Sequence, residues 1–176
     1  EILKTIASQT QKGKLFSLLT KGFGHSFKET KSVLSEFSDD QIEIPEKINY
    51  EYEVKEILPK EILKTLPKPH RDYLIKRRFD PDLIQKKYKI LASYTLGRYA
   101  YRIIIPVIES GIIVNFTARD ITNKQEMRYM TCPNDQAVSP MKECVYNLDN
   151  LRKNAAIVIC EGIFDVWRMG NGAVAT

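Results

Sequence analysis

Residues 155–176, AAIVICEGIFDVWRMGNGAVAT, constrain the fold more than any other stretch of the chain. A short apolar run ends at Glu161-Gly162, a helical pattern continues to Gly170, and a second apolar run closes at Thr176. Two short strands separated by one helix share a sheet most simply as parallel neighbours, because the helix returns the chain to the starting edge. The reading is therefore a buried strand over AAIVICEG, a glycine-closed helix over IFDVWRMGN and a last strand at AVAT. Functional groups in such units collect at the carboxyl ends of strands. Glu161 stands there, Gly162 allows close backbone approach, and Asp165 follows one helical turn later, so both carboxylates can face one region. On spacing alone two readings stay open. The pair could hold a divalent cation or set an ionised carboxylate beside a proton donor. Alternatively Asp165 caps the helix and Glu161 complements its dipole. Trp167 and Met169 are expected to pack against the sheet.

Upstream, helical and then strand-like patterns give an α+β class with a helical N-terminal segment, a mixed sheet and the parallel C-terminal unit. Residues 13–37 read as two helices around Gly22 and Gly24. Ser26 is placed as N-cap with Glu29 at capping-box spacing, and Phe27, Val33, Leu34 and Phe37 fall on one face. Residues 38–54 are acidic and aperiodic, a linker. Between Lys55 and Lys89 three short helices are expected, in EILPKEILKTL, KPHRDYLIKRR and DPDLIQKKY, the last capped by Asp80 ahead of Pro81. The strands then follow: YAYRIIIPVIES and IIVNFTARDI around a Glu-Ser-Gly turn, and EMRYMTCP. VYNLDNLRK reads as a short helix. The resulting division is 1–37, 38–54, 55–154 and 155–176.

Composition excludes several classes. The 176 residues are 43% hydrophobic and carry a net charge of +5, enough apolar material for a core and a basic excess that suits a polyanionic partner. Cys132, Cys144 and Cys160 form no C-x-x-C pair, and His25 and His70 lie far from them in sequence, so neither a disulfide framework nor a zinc site is expected. No apolar run approaches the roughly 20 residues of a membrane span, and no signal-peptide pattern appears. The expected compartment is the reducing cytoplasm. Because the chain opens on Glu1 rather than Met, an upstream part is expected to be missing.

The C-terminal stretch resembles the first half of a Toprim domain, with Glu161, Gly162, Asp165 and the closing AVAT in register. The preceding residues are similar to DnaG-type primases of phages or bacteria. RIIIPVIESGIIVNFTARDI matches two strands ending in an arginine, here Arg119. MRYMTCPND resembles a Lys-Tyr-Leu-Asn-Ser-Pro stretch, with Arg128, Tyr129 and Pro133 in register, and Lys142 matches a basic residue after it. HRDYLIKRRFDPDLIQKKYKI resembles the helix pair that begins the catalytic core. LFSLLTKGFGHSFKETKSVLSEF resembles the helical end of the zinc-ribbon module. The pieces stand in family order along nearly the whole chain.

What the resemblance implies is a primase fragment whose parent makes short RNA primers on single-stranded DNA by metal-dependent nucleotidyl transfer. Glu161 and Asp165 would be catalytic, with Glu161 acting near the metal, Mg or Mn, either as a ligand or as a general base. Arg119, Arg128 and Lys142 would hold nucleotide or template phosphates. The implied partners are the template, nucleoside triphosphates and a replicative helicase, with no membrane. Departures are visible too. Arg128 replaces a lysine, Thr117-Ala118 replaces a glycine pair, the zinc-ribbon cysteines are absent, and the sequence stops before the family's Gly-Thr and Asp-x-Asp, so the remaining metal ligands are expected beyond Thr176 and the fragment alone is expected to be inactive. Asp80-Pro81-Asp82 is a helix start and takes no metal role. The basic helix pair is expected to bury Tyr73, Leu74, Leu83 and Ile84 and to present Arg71, Lys76, Arg77, Lys86 and Lys87, either to single-stranded DNA or simply to solvent. His25 and His70 are placed at the surface or at caps, without catalytic roles. The rival readings are a Toprim nuclease or topoisomerase fragment, and a non-catalytic nucleic-acid-binding chain.

Overall fold

The structure, a computed structural model of the chain, describes residues 26, 29, 30, 32, 57–151 and 156–176. The linker 38–54, His25, and Phe27, Val33, Leu34 and Phe37 lie outside the described residues. The proposed capping box does form. The Ser26 amide donates to Glu29 Oε2 at 2.8 Å, and the Glu29 amide to Ser26 Oγ at 3.3 Å.

The chain divides into two units. One is built from residues 54–108 and 112–141. In it a five-stranded sheet runs in the order β1 (Ile62–Leu63), β2 (Leu91–Ser93), β3 (Arg102–Glu109), β4 (Ile112–Asp120), β5 (Tyr129–Thr131). Two helices, α1 (Lys68–Lys76) and α2 (Pro81–Tyr88), are inserted between β1 and β2. The pairs β1–β2, β2–β3 and β4–β5 are antiparallel. Between β3 and β4 the chain turns through Ser110 and Gly111, both at positive φ (55° and 78°), the conformation a two-residue hairpin of this hand requires.

Nearly every residue of β3 and most of β4 are buried, so these strands read as continuous apolar runs. Pro106 is tolerated inside β3 because β2 pairs only with Arg102–Ile104 and leaves that edge before the proline is reached. One buried cluster joins Ile57, Tyr99, Ile104, Phe116, Ala118, Cys132 and Ala137.

EILPKEILKTL is not a helix over its described residues. Pro59 interrupts it, and Ile62-Leu63 pair with Ser93 and Ala92 as an edge strand. The other two helices form as expected. α1 begins after Pro67 with Pro69 in its first turn. α2 is capped by Asp80, whose Oδ1 accepts from the amides of Asp82 (2.9 Å) and Leu83 (3.1 Å), and Lys89 closes it in the left-handed region at φ 56°. Tyr73, Leu74 and Ile84 are buried, but Leu83 is 59% exposed.

The other unit takes in 1–53, the hairpin tip Glu109–Gly111 and 142–176. Among its described residues are β6 (Val158–Cys160), α3 (Ile163–Met169) and β7 (Ala173–Ala175), and β6 and β7 pair in parallel. VYNLDNLRK gives only a 3-10 turn at Leu148–Asn150 within its described part, because Tyr146 is drawn into a bridge with Ala175 just before it. Val145, Leu148 and Val174 form the core of this unit. β7 is fully buried, whereas β6, expected to be buried, is half-exposed, since its one described sheet neighbour is β7. Asp149 receives the amides of Ser110 (2.9 Å) and Gly111 (2.7 Å) at the hairpin tip.

Candidate functional site

At the end of β4, two arginines and two tyrosines meet. Arg119 lies directly opposite Tyr129 of β5 in the antiparallel register, and such cross-strand pairs bring side chains together on one face. Its guanidinium carbon sits 4.6 Å from the centre of the Tyr129 ring. From α1, Tyr73 Oη accepts a hydrogen bond from Arg119 Nε at 2.8 Å. One helical turn on, Arg77 places its own guanidinium 4.9 Å from the Tyr73 ring centre. The result is a stack in the order Arg77, Tyr73, Arg119, Tyr129.

Arg119 is 2% exposed, not the loop or solvated charge that its place near a strand end suggests. Tyr129 is 41% exposed, and Arg128 beside it is exposed. A buried cation thus backs a partly exposed aromatic ring, and the exposed Arg128 precedes that ring in sequence. That combination can stack a base and pair a phosphate.

The other basic residues are distributed differently. Arg71 is engaged in a two-pronged pair with Asp82 at 2.7 and 2.8 Å, which raises the arginine and lowers the carboxyl from their ordinary ranges. Lys87 lies over the Tyr88 ring at 5.1 Å, and Lys76 and Lys86 are exposed. Lys142, in the 3-10 turn Met141–Glu143, belongs to the other unit and is exposed.

Three buried polar groups were not legible as such. His70, expected at the surface or a cap, is fully buried, with Nε2 at 3.1 Å from the Ser93 carbonyl and 3.2 Å from that of Arg102. Two acceptors at one nitrogen place a proton on Nε2, and Nδ1 is buried without a hydrogen-bond partner. Burial holds its pKa below the usual histidine value, against the two backbone hydrogen bonds. Arg102 is 2% exposed and donates to backbone carbonyls: Ala118 at 3.1 Å, Met127 at 2.6 Å and Arg128 at 3.4 Å. Burial lowers its pKa, with the Asp120 charge opposing. Asp120 itself is buried. Burial pushes it up, but hydrogen bonds from the Thr122 amide and hydroxyl and the Gln125 amide, with the Arg102 charge, leave it below the ordinary carboxylate range.

In the other unit, Glu161 and Asp165 are both exposed where β6 runs into α3. Asp165 is not the helix cap. Gly162 occupies that position without a side-chain bond, and Asp165 instead pairs with Arg168 at 3.3 Å. Its Oδ2 lies against Gly162, 3.5 Å from where a β-carbon would stand, so alanine there would make only ordinary contact within the chain. Burial and then the Asp165 charge push the Cys160 thiol up. Trp167 is buried and donates to Tyr146 Oη at 2.8 Å, but Met169, expected to pack on the sheet, is 58% exposed. Among the described residues no group of three or more His, Cys, Asp or Glu gathers to hold a metal. One or two carboxylates do match Mg²⁺ of the kind that keeps several waters and takes phosphate oxygens. No helix among the described residues is long and apolar enough to cross a membrane.

No family model and no curated protein matches the chain. Solved structures similar to it include the DnaG primase catalytic domain bound to ssDNA, at 19% identity over 61% of this chain and 46% of that one, with a TM-score of 0.45. The DnaG catalytic core is similar at 19% identity, with the same coverage and a TM-score of 0.46. The RNA polymerase domain of Mycobacterium tuberculosis primase DnaG is similar at 20% identity over 58% and 36%, with a TM-score of 0.40. The chain spans less than half the length of each of these structures.

Proposed function

We propose that this chain is part of the catalytic core of a DnaG-like primase, and that the face formed by Arg77, Tyr73, Arg119, Tyr129 and Arg128 receives single-stranded DNA. The observation that carries the reading is the buried Arg119 clamped between Tyr73 and the exposed Tyr129. A surface built only for solubility has no use for an arginine desolvated under an accessible ring. A strand of bases and phosphates uses both halves of that arrangement. The order of the sequence resemblances along the chain supports the primase assignment.

In this proposal Arg128 and Lys142 neutralise phosphates of template or incoming nucleoside triphosphate. Glu161, at the carboxyl end of β6, supplies a carboxylate for Mg or Mn or accepts a proton, and Asp165 stands beside it as the second acid. When bound, the metal would neutralise charge on the transferring phosphate. A replicative helicase as partner belongs to the same proposal. The test is primer synthesis from nucleoside triphosphates on a single-stranded template by the full-length protein carrying this chain. Glu161→Gln keeps the volume and removes the charge. It is expected to abolish primers while leaving oligonucleotide binding and melting temperature unchanged, and near-normal priming by that variant overturns the assignment of Glu161.

A further inference from the structure

We propose that Arg102 is a positioning residue for the strand-binding face: from inside the sheet, its guanidinium fixes the backbone that carries Arg128 and Tyr129. The inference rests on the reading of that face as a single-stranded DNA site. Arg102 opens β3, and by the alternation of a strand it shares a face with Ile104, a member of the apolar cluster. Its Nη2 donates to the Met127 carbonyl at 2.6 Å, and its Nη1 to the carbonyls of Ala118 (3.1 Å) and Arg128 (3.4 Å). The Arg128 carbonyl also accepts the Asp120 amide at 3.0 Å. The buried cation thus ties the end of β4 to the residues entering β5.

Met127 is 58% exposed, and the segment from Ile121 to Arg128 forms no strand. The backbone there needs an anchor if Arg128 and Tyr129 are to present a fixed geometry. A planar fork reaching several carbonyls provides one, and a lysine ammonium with a single point of charge cannot reproduce it. The surrounding groups fit this role. The Arg102 carbonyl receives His70 Nε2, and Asp120 is the neighbouring opposite charge. Asp120 is itself held by Thr122 and Gln125, so Arg102 spends its donors on the backbone.

The test uses the whole 176-residue chain with a fluorescent oligothymidine, its binding read by anisotropy across a salt series. Amide hydrogen exchange is read alongside. Arg128→Ala removes one phosphate contact and is expected to lower the salt slope by about 0.7. Arg102→Met is expected to weaken binding about tenfold, and adding it to Arg128→Ala to cost less than the two separate losses combined, as coupled residues do. Exchange should accelerate at Asp120 and through 121–129 while the amides of β2 and β3 stay protected. Arg102→Lys keeps the charge. It should fold and yet recover neither full affinity nor protection of this segment, and it decides the matter if the methionine variant fails to fold. A wild-type chain that binds, with an Arg102 variant that binds equally well or costs that are strictly additive with Arg128→Ala, overturns the positioning role alone. A folded wild-type chain that does not bind overturns both this role and the reading of the face.

Discussion

Arg119 shows how a residue can be found in a sequence and still be misplaced by it. Its place among the candidates followed from a resemblance. Its burial did not, because a charged residue near a strand end is ordinarily solvated, and only the partner strand and α1 reveal what covers it. The spacing of Tyr73 and Arg77, one helical turn apart, permits the aromatic–cation pair, although the expectation was only that the one is buried and the other presented. Arg102 and His70 had no such signal, since a polar residue beside an apolar run looks the same whether it faces water or backbone carbonyls. Two measurements follow at this scale. Tyr73→Phe removes the acceptor for a buried charged donor and should cost about 1.5–3 kcal/mol in urea unfolding. An unchanged midpoint would mean that Arg119 does not depend on that bond. For His70, burial depresses the folded pKa, so the unfolded chain takes up the proton first. Stability is then fully present above the unfolded value near 6.5 and is lost as pH falls through the folded pKa. Unfolding free energies from urea titrations should fall between pH 7.5 and 5, by at most about 1.4 kcal/mol per pH unit from this one group. His70→Gln should flatten that slope, and a slope kept by the variant would assign it elsewhere.

Elements with a strong local cue were legible. The Asp80-Pro81 start, the Glu-Ser-Gly hairpin and the glycine-closed helix before AVAT each carry their own cap or turn chemistry. Asp80→Ala leaves two α2 amides without their acceptor and should cost about 1 kcal/mol, read as a shifted denaturation midpoint. A shift within error would mean that α2 is held by packing alone. The failures have a common cause, tertiary contacts overriding local preference. Ile62-Leu63 became an edge strand because β2 offered a ladder, and Tyr146 was taken by β7 before VYNLDNLRK could complete a helix. Leu83 and Met169 satisfied a helical period and still face solvent, since the period fixes a face and not what lies against it.

At the scale of the whole chain, the two described units divide the proposed labour. One holds the basic–aromatic face, and the other holds Lys142 and the exposed carboxylates Glu161 and Asp165 at a parallel strand end. The α+β class and the parallel C-terminal unit were readable from patterning, while the face was not, because its members come from α1, β4 and β5. The net charge of +5 suits a polyanion, but charge alone predicts binding without preference. The arrangement around Arg119 predicts a preference for unpaired bases. The most direct test is competition between oligothymidine and a duplex of equal length for the whole chain, with Tyr129→Ala as the variant. The account predicts that the single strand wins and that the variant loses about tenfold in affinity for it, while its affinity for the duplex is unchanged. Equal affinity for both ligands, or a folded Tyr129→Ala chain that binds oligothymidine as the wild type does, would contradict it.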